Sequence, residues 1–195
     1  MLTFDEYLKG LTEALAGIDR NAFDAAVAVI RRVHDADKIV YVCGNGGSAA
    51  TASHMINDLV KAPAEAAGCR PIRAVGLADC VPLMTAFAND SDYALMFSRQ
   101  IEAMGREGDL LIAVSGSGNS ANVVEAARVA KARGMTIVAM TGFDGGKLAD
   151  VADVHINCPS SCFGHIEDAH LVIEHAMVEA LKEAFGGHSA ARAGE

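Results

Sequence analysis

Two stretches of the sequence carry histidines and carboxylates at helical spacing. His54 and Asp58 are four residues apart, which places them on one face of a helix. Glu167 and His175 share a face of a second, largely apolar helix-like run, with Leu171 between them. Two histidines and two carboxylates on two helices would form a Zn²⁺ site or a general acid–base pair. Each pair taken alone is also typical of an exposed ion pair or a solvated carboxylate.

Two loops rich in glycine and serine each follow a strand-like run and open a helix-like run. They span residues 44–48 (GNGGS) and 115–120 (SGSGNS). Backbone N–H groups at a helix N-terminus bind anions, serine hydroxyls add donors, and glycine lets a ligand approach closely. The second loop contains no Lys or Arg, so its neutral donors suit a sugar phosphate. We predict that Ser115, Ser117 and Ser120 hold the phosphate; alternatively, both loops only cap helices.

The loops and helices belong to a chain in which strand-like and helix-like runs alternate. Runs rich in Val and Ile without polar alternation indicate strands buried on both faces of a parallel sheet. The alternation predicts an α/β fold with a doubly wound sheet, in which ligands bind at the carboxyl ends of the strands. The predicted strands are 38–43, 71–77, 109–115, 136–141 and 154–157; the predicted helices are two within 3–35, then 48–61, 91–104, 119–133 and 165–185, with short pieces near 80–88 and 146–151.

The length of 195 residues predicts one domain, residues 1–187, with N-terminal helices in 1–36 and a small, polar, mobile tail at 188–195. A formal net charge of −9 opposes non-specific binding to nucleic acid or an anionic membrane. The N-terminus lacks the pattern of a signal peptide, and no apolar run reaches the ~20 residues that span a bilayer. The five cysteines are scattered, which predicts reduced thiols and a cytoplasmic protein.

Nucleotide-binding patterns fit the sequence poorly. Residues 44–49 match the dinucleotide fingerprint G-x-G-x-x-A, but that fingerprint needs an acidic residue about 20 positions later. The first acidic residue after the second predicted strand is Asp79, which is too far along the chain. Lys147 follows two glycines, but Leu148 stands where a phosphate-binding P-loop has Ser or Thr. These mismatches disfavour a nucleotide-binding oxidoreductase.

The motifs as a set resemble the sugar isomerase (SIS) domain family, and within it the sedoheptulose 7-phosphate isomerases, also called phosphoheptose isomerases. The resemblance covers residues 4–186, nearly the whole chain. It is carried by GNGGSAATASH (44–54), Ala88-Asn89-Asp90, the stretch 98–135 around SGSGNS, and TGFDGGKLAD (141–150).

The resemblance implies a five-stranded parallel sheet flanked by helices in a three-layer sandwich. It implies a homotetramer packed through its N-terminal helices, with active sites between subunits. The implied reaction interconverts sedoheptulose 7-phosphate and D-glycero-D-manno-heptose 7-phosphate, early in the heptose branch of lipopolysaccharide or glycoprotein synthesis, through a cis-enediol. Zn²⁺ is an implied cofactor.

The resemblance also assigns individual residues. His54 matches a metal-binding histidine, and His175 matches a histidine that binds metal and takes part in proton transfer. The residues that match the family's substrate-binding positions are Asn45, Gly46, Gly47, Ser48, Asn89, Asp90, Ser115, Gly116, Ser117 and Ser120.

The chain departs from the family pattern at its carboxylates. Asp58 stands where the family has its general base, a glutamate, and Glu167 stands where the family has a glutamine. Gly164 replaces an acidic residue, and Gly116 replaces the usual threonine of the phosphate loop. An aspartate reaches about 1.5 Å less far than a glutamate. The base is therefore either Asp58 or Glu167, and the longer side chain favours Glu167.

From these departures we predict one divalent metal, Zn²⁺, bound by His54, Asp58, Glu167 and His175. Catalytic roles fall to Asp58, Glu167 and His175, and Glu167 also contacts the substrate. Three alternatives stay open at this stage. The chain could be a non-catalytic SIS protein that binds the bacterial replication initiator, a sugar-phosphate sensor, or an isomerase of another sugar phosphate.

Overall fold

The computed structural model describes residues 2–186, so the predicted tail at 188–195 lies outside the described residues. Within this range two N-terminal helices come first, and each of the five strands that follow is succeeded by one or two helices. The helices are α1 (Phe4–Ala16), α2 (Arg20–Asp35), α3 (Gly47–Ala67), α4 (Val81–Asp90), α5 (Ser98–Met104), α6 (Ala121–Ala132), α7 (Gly146–Val151) and α8 (Phe163–Ala184). The strands are β1 (Val40–Cys43), β2 (Ala74–Gly76), β3 (Leu110–Ser115), β4 (Thr136–Gly142) and β5 (Val154–Cys158).

The five strands form one parallel sheet in the order β2-β1-β3-β4-β5. This confirms the predicted five-stranded parallel sheet. The strands β1 and β3 are neighbours, with Cys43 paired in register with Ala113. The loops that follow β1 and β3 therefore leave the same edge of the sheet side by side, as the site requires.

The core lies in two layers, one on each face of the sheet. Alternate side chains of β1 point to opposite faces because a strand has a period of two. Val40 and Val42 pack with α2, α3 and α8, whereas Tyr41 and Cys43 pack with α5, α6 and α7. All six residues of β3 are buried, which explains its continuous apolar sequence.

Two predicted helices have different bounds in the structure. The prediction of one helix over 91–104 is wrong in its first half, where a 3-10 turn spans Tyr93–Leu95 and α5 begins at Ser98. Asp92 accepts a hydrogen bond from the backbone N–H of Ala94, and this local bond favours a turn over a helix. The helix α3 continues past Pro63 to Ala67, although an internal proline removes a backbone hydrogen bond.

The first helix is fastened to the last one close to the site. The Tyr7 hydroxyl donates a 2.7 Å hydrogen bond to Asp168, which raises the pKa of Tyr7 to about 12. The Tyr7 ring also lies against the His165 ring, with 4.5 Å between their centroids. None of the helices within residues 2–186 is long and apolar enough to cross a membrane. In the same range, the five cysteines form no disulfide.

Backbone hydrogen bonds tie the serine loop, residues 115–120, to the segment that runs from the end of β4 into α7. The backbone N–H of Leu148 bonds the carbonyl of Gly118, and the N–H of Gly142 bonds the carbonyl of Gly116. Gly118 has a φ of +64°, and a Cβ built on it would collide with the backbone carbonyl of Gly145. Glycine at position 118 therefore satisfies both a left-handed backbone and a close approach.

We predict that Gly118→Ala lowers the free energy of unfolding by more than Gly68→Ala does. Both glycines have a φ near +63°, but a Cβ on Gly68 meets nothing within 4 Å. Gly68→Ala should therefore cost only the ~1–2 kcal/mol of the left-handed backbone. Urea denaturation of the two variants measures the difference. Equal losses would show that the contact with Gly145 does not constrain the loop.

Candidate active site

A polar cavity of about 240 Å³ lies at the carboxyl ends of β1 and β3. Both glycine–serine loops contribute to its walls, together with the first two turns of α8. The lining residues are Asn45, Ser48, Val114, Ser115, Gly116, Ser117, Ser120, Phe163 and Glu167. The predicted substrate loop and the predicted phosphate loop thus meet in one cavity.

The serine loop has the form expected of an anion site. Ser115 is buried, and its hydroxyl lies 3.1 Å from that of Ser120, so the two side chains face the same space. Ser120 is the N-cap of α6, where the backbone N–H groups and the helix dipole favour an anion. Ser117 lines this cavity and also a larger, more open one of about 670 Å³ beside it.

The first loop is held in place by a pair of amides. Asn45 and Asn122 exchange two hydrogen bonds of 2.8 Å, and the Tyr93 hydroxyl donates to the Asn45 carbonyl oxygen at 2.9 Å. Asn122 is buried in the first turn of α6, directly behind the serine loop. Asn45 therefore ties the two loops together, a role beyond the substrate binding predicted from the sequence.

Glu167 reaches across from α8 to the first turn of α3. A Cβ on Gly47 would lie 2.6 Å from Oε1 of Glu167, so the carboxylate occupies the space that any other side chain at position 47 would fill. Because Gly47 begins α3, this carboxylate lies near the positive end of the helix dipole. Gly47 is thus required for the position of Glu167.

The two histidines that the sequence predicted to converge do so. His54 on α3 and His175 on α8 bring their Nε2 atoms within 3.1 Å of each other. The Oδ2 atom of Asp58 lies 3.4 Å from Nε2 of His54 and 3.9 Å from Nε2 of His175. Three of the four predicted metal ligands therefore form one cluster.

The fourth member of this cluster is a second carboxylate, Glu174, which the sequence reasoning missed. One donor atom from each of His54, Asp58, Glu174 and His175 lies within 4.8 Å of the other three. Glu174 is fully buried, and its Oε2 lies 3.4 Å from Nε2 of His175. Burial, followed by the negative charge of Asp58, raises the pKa of Glu174 to about 7.

The helical period could have identified Glu174. At 100° per residue, position 174 lies only about 20° from position 167 around the helix axis, closer than position 175 does. A carboxylate in the apolar run Val172-Ile173-Glu174 also needs a partner once the helix is buried.

Glu167 is not a member of this cluster, in contrast to its prediction as a metal ligand. It lies eight residues from His175, which is about 12 Å along the helix axis. The same distance argues against Glu167 as the base, the role that the sequence favoured for it. Its carboxylate lies beside Gly47, at the serine-loop end of the site and away from the two histidines.

The four clustered side chains are a candidate site for a divalent metal ion, with all four donor atoms within 4.8 Å of one another. For a tetrahedral site with Zn–N distances of about 2.0–2.1 Å, neighbouring ligand atoms are about 3.3 Å apart. The closest contacts within the cluster are 3.1 Å and 3.4 Å. Two imidazoles and two carboxylates suit this borderline cation.

The predicted Asn-Asp pair lies elsewhere. Asn89 and Asp90 end α4, where both are exposed and Asn89 donates to Asp90 at 2.8 Å. Neither residue is among those that line the 240 Å³ cavity. Their substrate-binding role stays a prediction.

Comparison with known proteins places the chain in a family. Residues 3–142 match the profile of the SIS domain. The phosphoheptose isomerase of Mycobacterium tuberculosis (strain ATCC 25177 / H37Ra) is 42% identical over 174 residues, covering 85% of each chain. The chain belongs to the SIS domain family, among the phosphoheptose isomerases. This confirms the family resemblance seen in the sequence.

Solved structures of SIS-domain proteins share the fold. The phosphoheptose isomerase of Neisseria gonorrhoeae is 34% identical, with a TM-score of 0.84 over 92% of this chain and 95% of its own. The phosphoheptose isomerase of Francisella tularensis is 26% identical, with a TM-score of 0.86 over 92% and 96% of the two chains. They confirm the predicted fold class over nearly the whole chain.

One departure from the SIS pattern has a visible structural reason. Gly116 stands in the phosphate loop where the family has a threonine, and a Cβ there would lie 3.2 Å from the Phe163 ring. The Phe163 ring thus lies where that side chain would point. Phe163 also contacts Phe143 edge to face, with 5.1 Å between ring centroids, and lines both cavities.

We predict that Ser117→Ala weakens binding of a sugar phosphate by ~1–3 kcal/mol, the cost of an unmade hydrogen bond to a charged group. Ser161→Ala is the matched control, because Ser161 lines only the larger cavity. Isothermal titration with a sugar phosphate measures both. Unchanged affinity in Ser117→Ala would refute the assignment of the phosphate site.

Proposed function

We propose that this SIS-domain chain is an aldose–ketose isomerase that interconverts sedoheptulose 7-phosphate and D-glycero-D-manno-heptose 7-phosphate. The observation that carries the proposal is the juxtaposition of a serine-lined anion cavity with a His/carboxylate cluster along the same pair of helices. The names of the phosphoheptose isomerase relatives support the same substrate.

The length of the site favours a seven-carbon sugar. The serine-loop cavity includes Glu167, and the cluster includes His175, about 12 Å further along α8. Three bonds of an extended chain span about 3.6 Å, so a heptose 7-phosphate spans about 10 Å from C1 to phosphorus and a pentose 5-phosphate about 7 Å. With its phosphate in the serine loop, the heptose brings its carbonyl end to the cluster.

The reaction needs a base at the carbonyl end. Starting from the ketose, the base removes a proton from C1, the electron pair forms the C1–C2 double bond, and the C2 carbonyl oxygen gains a proton. Return of a proton to C2 and loss of the O1 proton complete the aldose. We assign the base to Asp58, which lies in the cluster and is partly open to solvent.

The other side chains bind and orient. His175 faces Asp58 and His54 through Nε2, the atom that would bind the metal, so the oxygen-bound protons of the substrate exchange with solvent at the exposed cluster. The serine loop fixes the phosphate so that C1 and C2 meet Asp58. Glu167, which lines the serine-loop cavity, accepts hydrogen bonds from the sugar hydroxyl groups nearest the phosphate. His54, His175 and a carboxylate of the cluster would hold Zn²⁺, which would stabilise the negative charge that develops on the substrate oxygens.

We expect Asp58→Asn to lower kcat by about 10²–10⁴-fold, the usual contribution of a general base. Glu167→Gln should instead raise KM more than it lowers kcat, because Glu167 is proposed to bind the sugar and not to transfer a proton. The glutamine keeps the shape of the side chain but removes its charge. NMR detection of product from five-, six- and seven-carbon sugar phosphates measures both variants. The wild-type protein should favour the seven-carbon substrate in kcat/KM by at least about tenfold over the five-carbon one.

The opposite pattern would exchange the roles of the two carboxylates. No turnover of any of these sugar phosphates by the wild-type protein would refute the proposed activity and favour a sensor or regulator of the same fold.

We also propose a cytoplasmic homotetramer packed through its N-terminal helices. On α1, Phe4 is 73% exposed and Leu8 is 41% exposed, which is unfavourable for a helix that faces water. A second copy of the chain would cover this face, since closed symmetric assemblies are the commonest oligomers.

Light scattering should give a mass four times that of the 20.3 kDa chain. The double change Phe4→Ser and Leu8→Ser should reduce that mass, since it removes the apolar contact area. Met104→Ser, at an exposed apolar residue at the end of α5, serves as the control. A wild-type monomer at micromolar concentration would contradict the assembly.

A further inference from the structure

Glu174 is a buried carboxylate of the His/carboxylate cluster. It is fully buried, and neither carboxylate oxygen has a hydrogen-bond partner within the described part of the chain. A buried carboxylate without a donor is strongly destabilising, whereas burial next to a bound cation offsets the cost. Its Oε2 lies 3.4 Å from Nε2 of His175, so it faces the interior of the cluster.

Asp58 differs from Glu174 in its exposure to solvent and in its hydrogen bonding. Its side chain is 22% exposed, and its Oδ1 accepts a 2.7 Å hydrogen bond from the Asn57 amide. Asp58 is therefore satisfied without a metal and can be reached by a substrate. Glu174 has no such donor within residues 2–186 and faces the carboxylate of Asp58, so of the two carboxylates it gains more from a bound cation.

We propose that Glu174 is the carboxylate that anchors the metal, together with His54 and His175, and that it leaves Asp58 free for proton transfer. The inference rests on the metal centre of the proposed function. It concerns a residue outside the set predicted from the sequence. It also gives Glu167 no part in metal binding, in agreement with its place beside Gly47.

With Glu174 bound to the metal, the two carboxylates of the cluster have separate roles. A glutamate on α8 supplies the negative charge at the metal, so the shorter Asp58 need not both bind the ion and remove a proton. A carboxylate bound to Zn²⁺ is a weaker base than a free one, because the cation stabilises its ionised form.

The test is the Zn²⁺ affinity of Glu174→Gln, with Glu167→Gln as the matched isosteric control on the same helix. Competition with a chromophoric chelator should show at least a 100-fold loss for Glu174→Gln, more than is usual for residues that only support a ligand. Glu167→Gln should stay within about threefold of wild type, and Asp58→Asn within about tenfold. The visible spectrum of bound Co²⁺ should change in Glu174→Gln alone, because it reports the ligand set.

Folding is checked on the same proteins after chelation. Metal-free Glu174→Gln should melt at or above the temperature of metal-free wild type, since a buried carboxylate is removed. Added Zn²⁺ should raise the melting temperature of wild type far more than that of the variant.

Zn²⁺ affinity within threefold of wild type in Glu174→Gln would overturn the proposal, as would a metal-free variant that melts well below wild type. Absence of Zn²⁺ binding by the wild-type protein would overturn the metal centre as well. The isomerase assay is independent of both outcomes, so a failure of the proposed activity is distinguishable from a failure of this inference.

Discussion

The side-by-side packing of α3 and α8 is the constraint on which the rest of the site depends. Both helices follow parallel strands and therefore run in the same direction. Gly47 contacts Glu167 near one end of the helix pair, and His54 contacts His175 further along. The two contacts are seven residues apart on α3 and eight residues apart on α8, so their spacing is nearly equal on both helices. A single helix–helix interface thus fixes Glu167 and the His/carboxylate cluster at a set distance.

Glycine enables this packing at specific points, each for a different reason. Gly47 leaves room for the carboxylate of Glu167, and Gly116 leaves room for the ring of Phe163. Gly118 supplies a left-handed backbone where the serine loop touches the segment after β4. The glycine content of the two loops therefore serves the approach of protein groups as well as the approach of a ligand.

The two ends of the site have opposite electrostatic characters. The serine loop offers neutral hydroxyl and backbone donors at the start of α6, which suits a phosphate without a paired cation. The cluster at the other end carries two carboxylates, one of them fully buried, which suits a metal ion and a base. Although Glu167 also lines the serine-loop cavity, the hydroxyl and backbone donors of the described residues that suit a phosphate lie only at that end of the proposed site.

The sequence by itself determined the parallel α/β fold, the two glycine–serine loops that line one cavity and the convergence of His54 with His175. These followed from strand composition, from glycine and serine placed after strands, and from residues spaced by whole helical turns, all of which are local patterns. Only the tertiary structure decided which carboxylate joins the histidines. Glu167 and Glu174 lie on nearly the same side of α8, two turns apart, so the helical period cannot separate them. Their roles depend on which residues of α3 lie opposite them. Glu167 lies opposite Gly47, whereas Glu174 lies near His54 and Asp58, and these contacts form only when the two helices pack together.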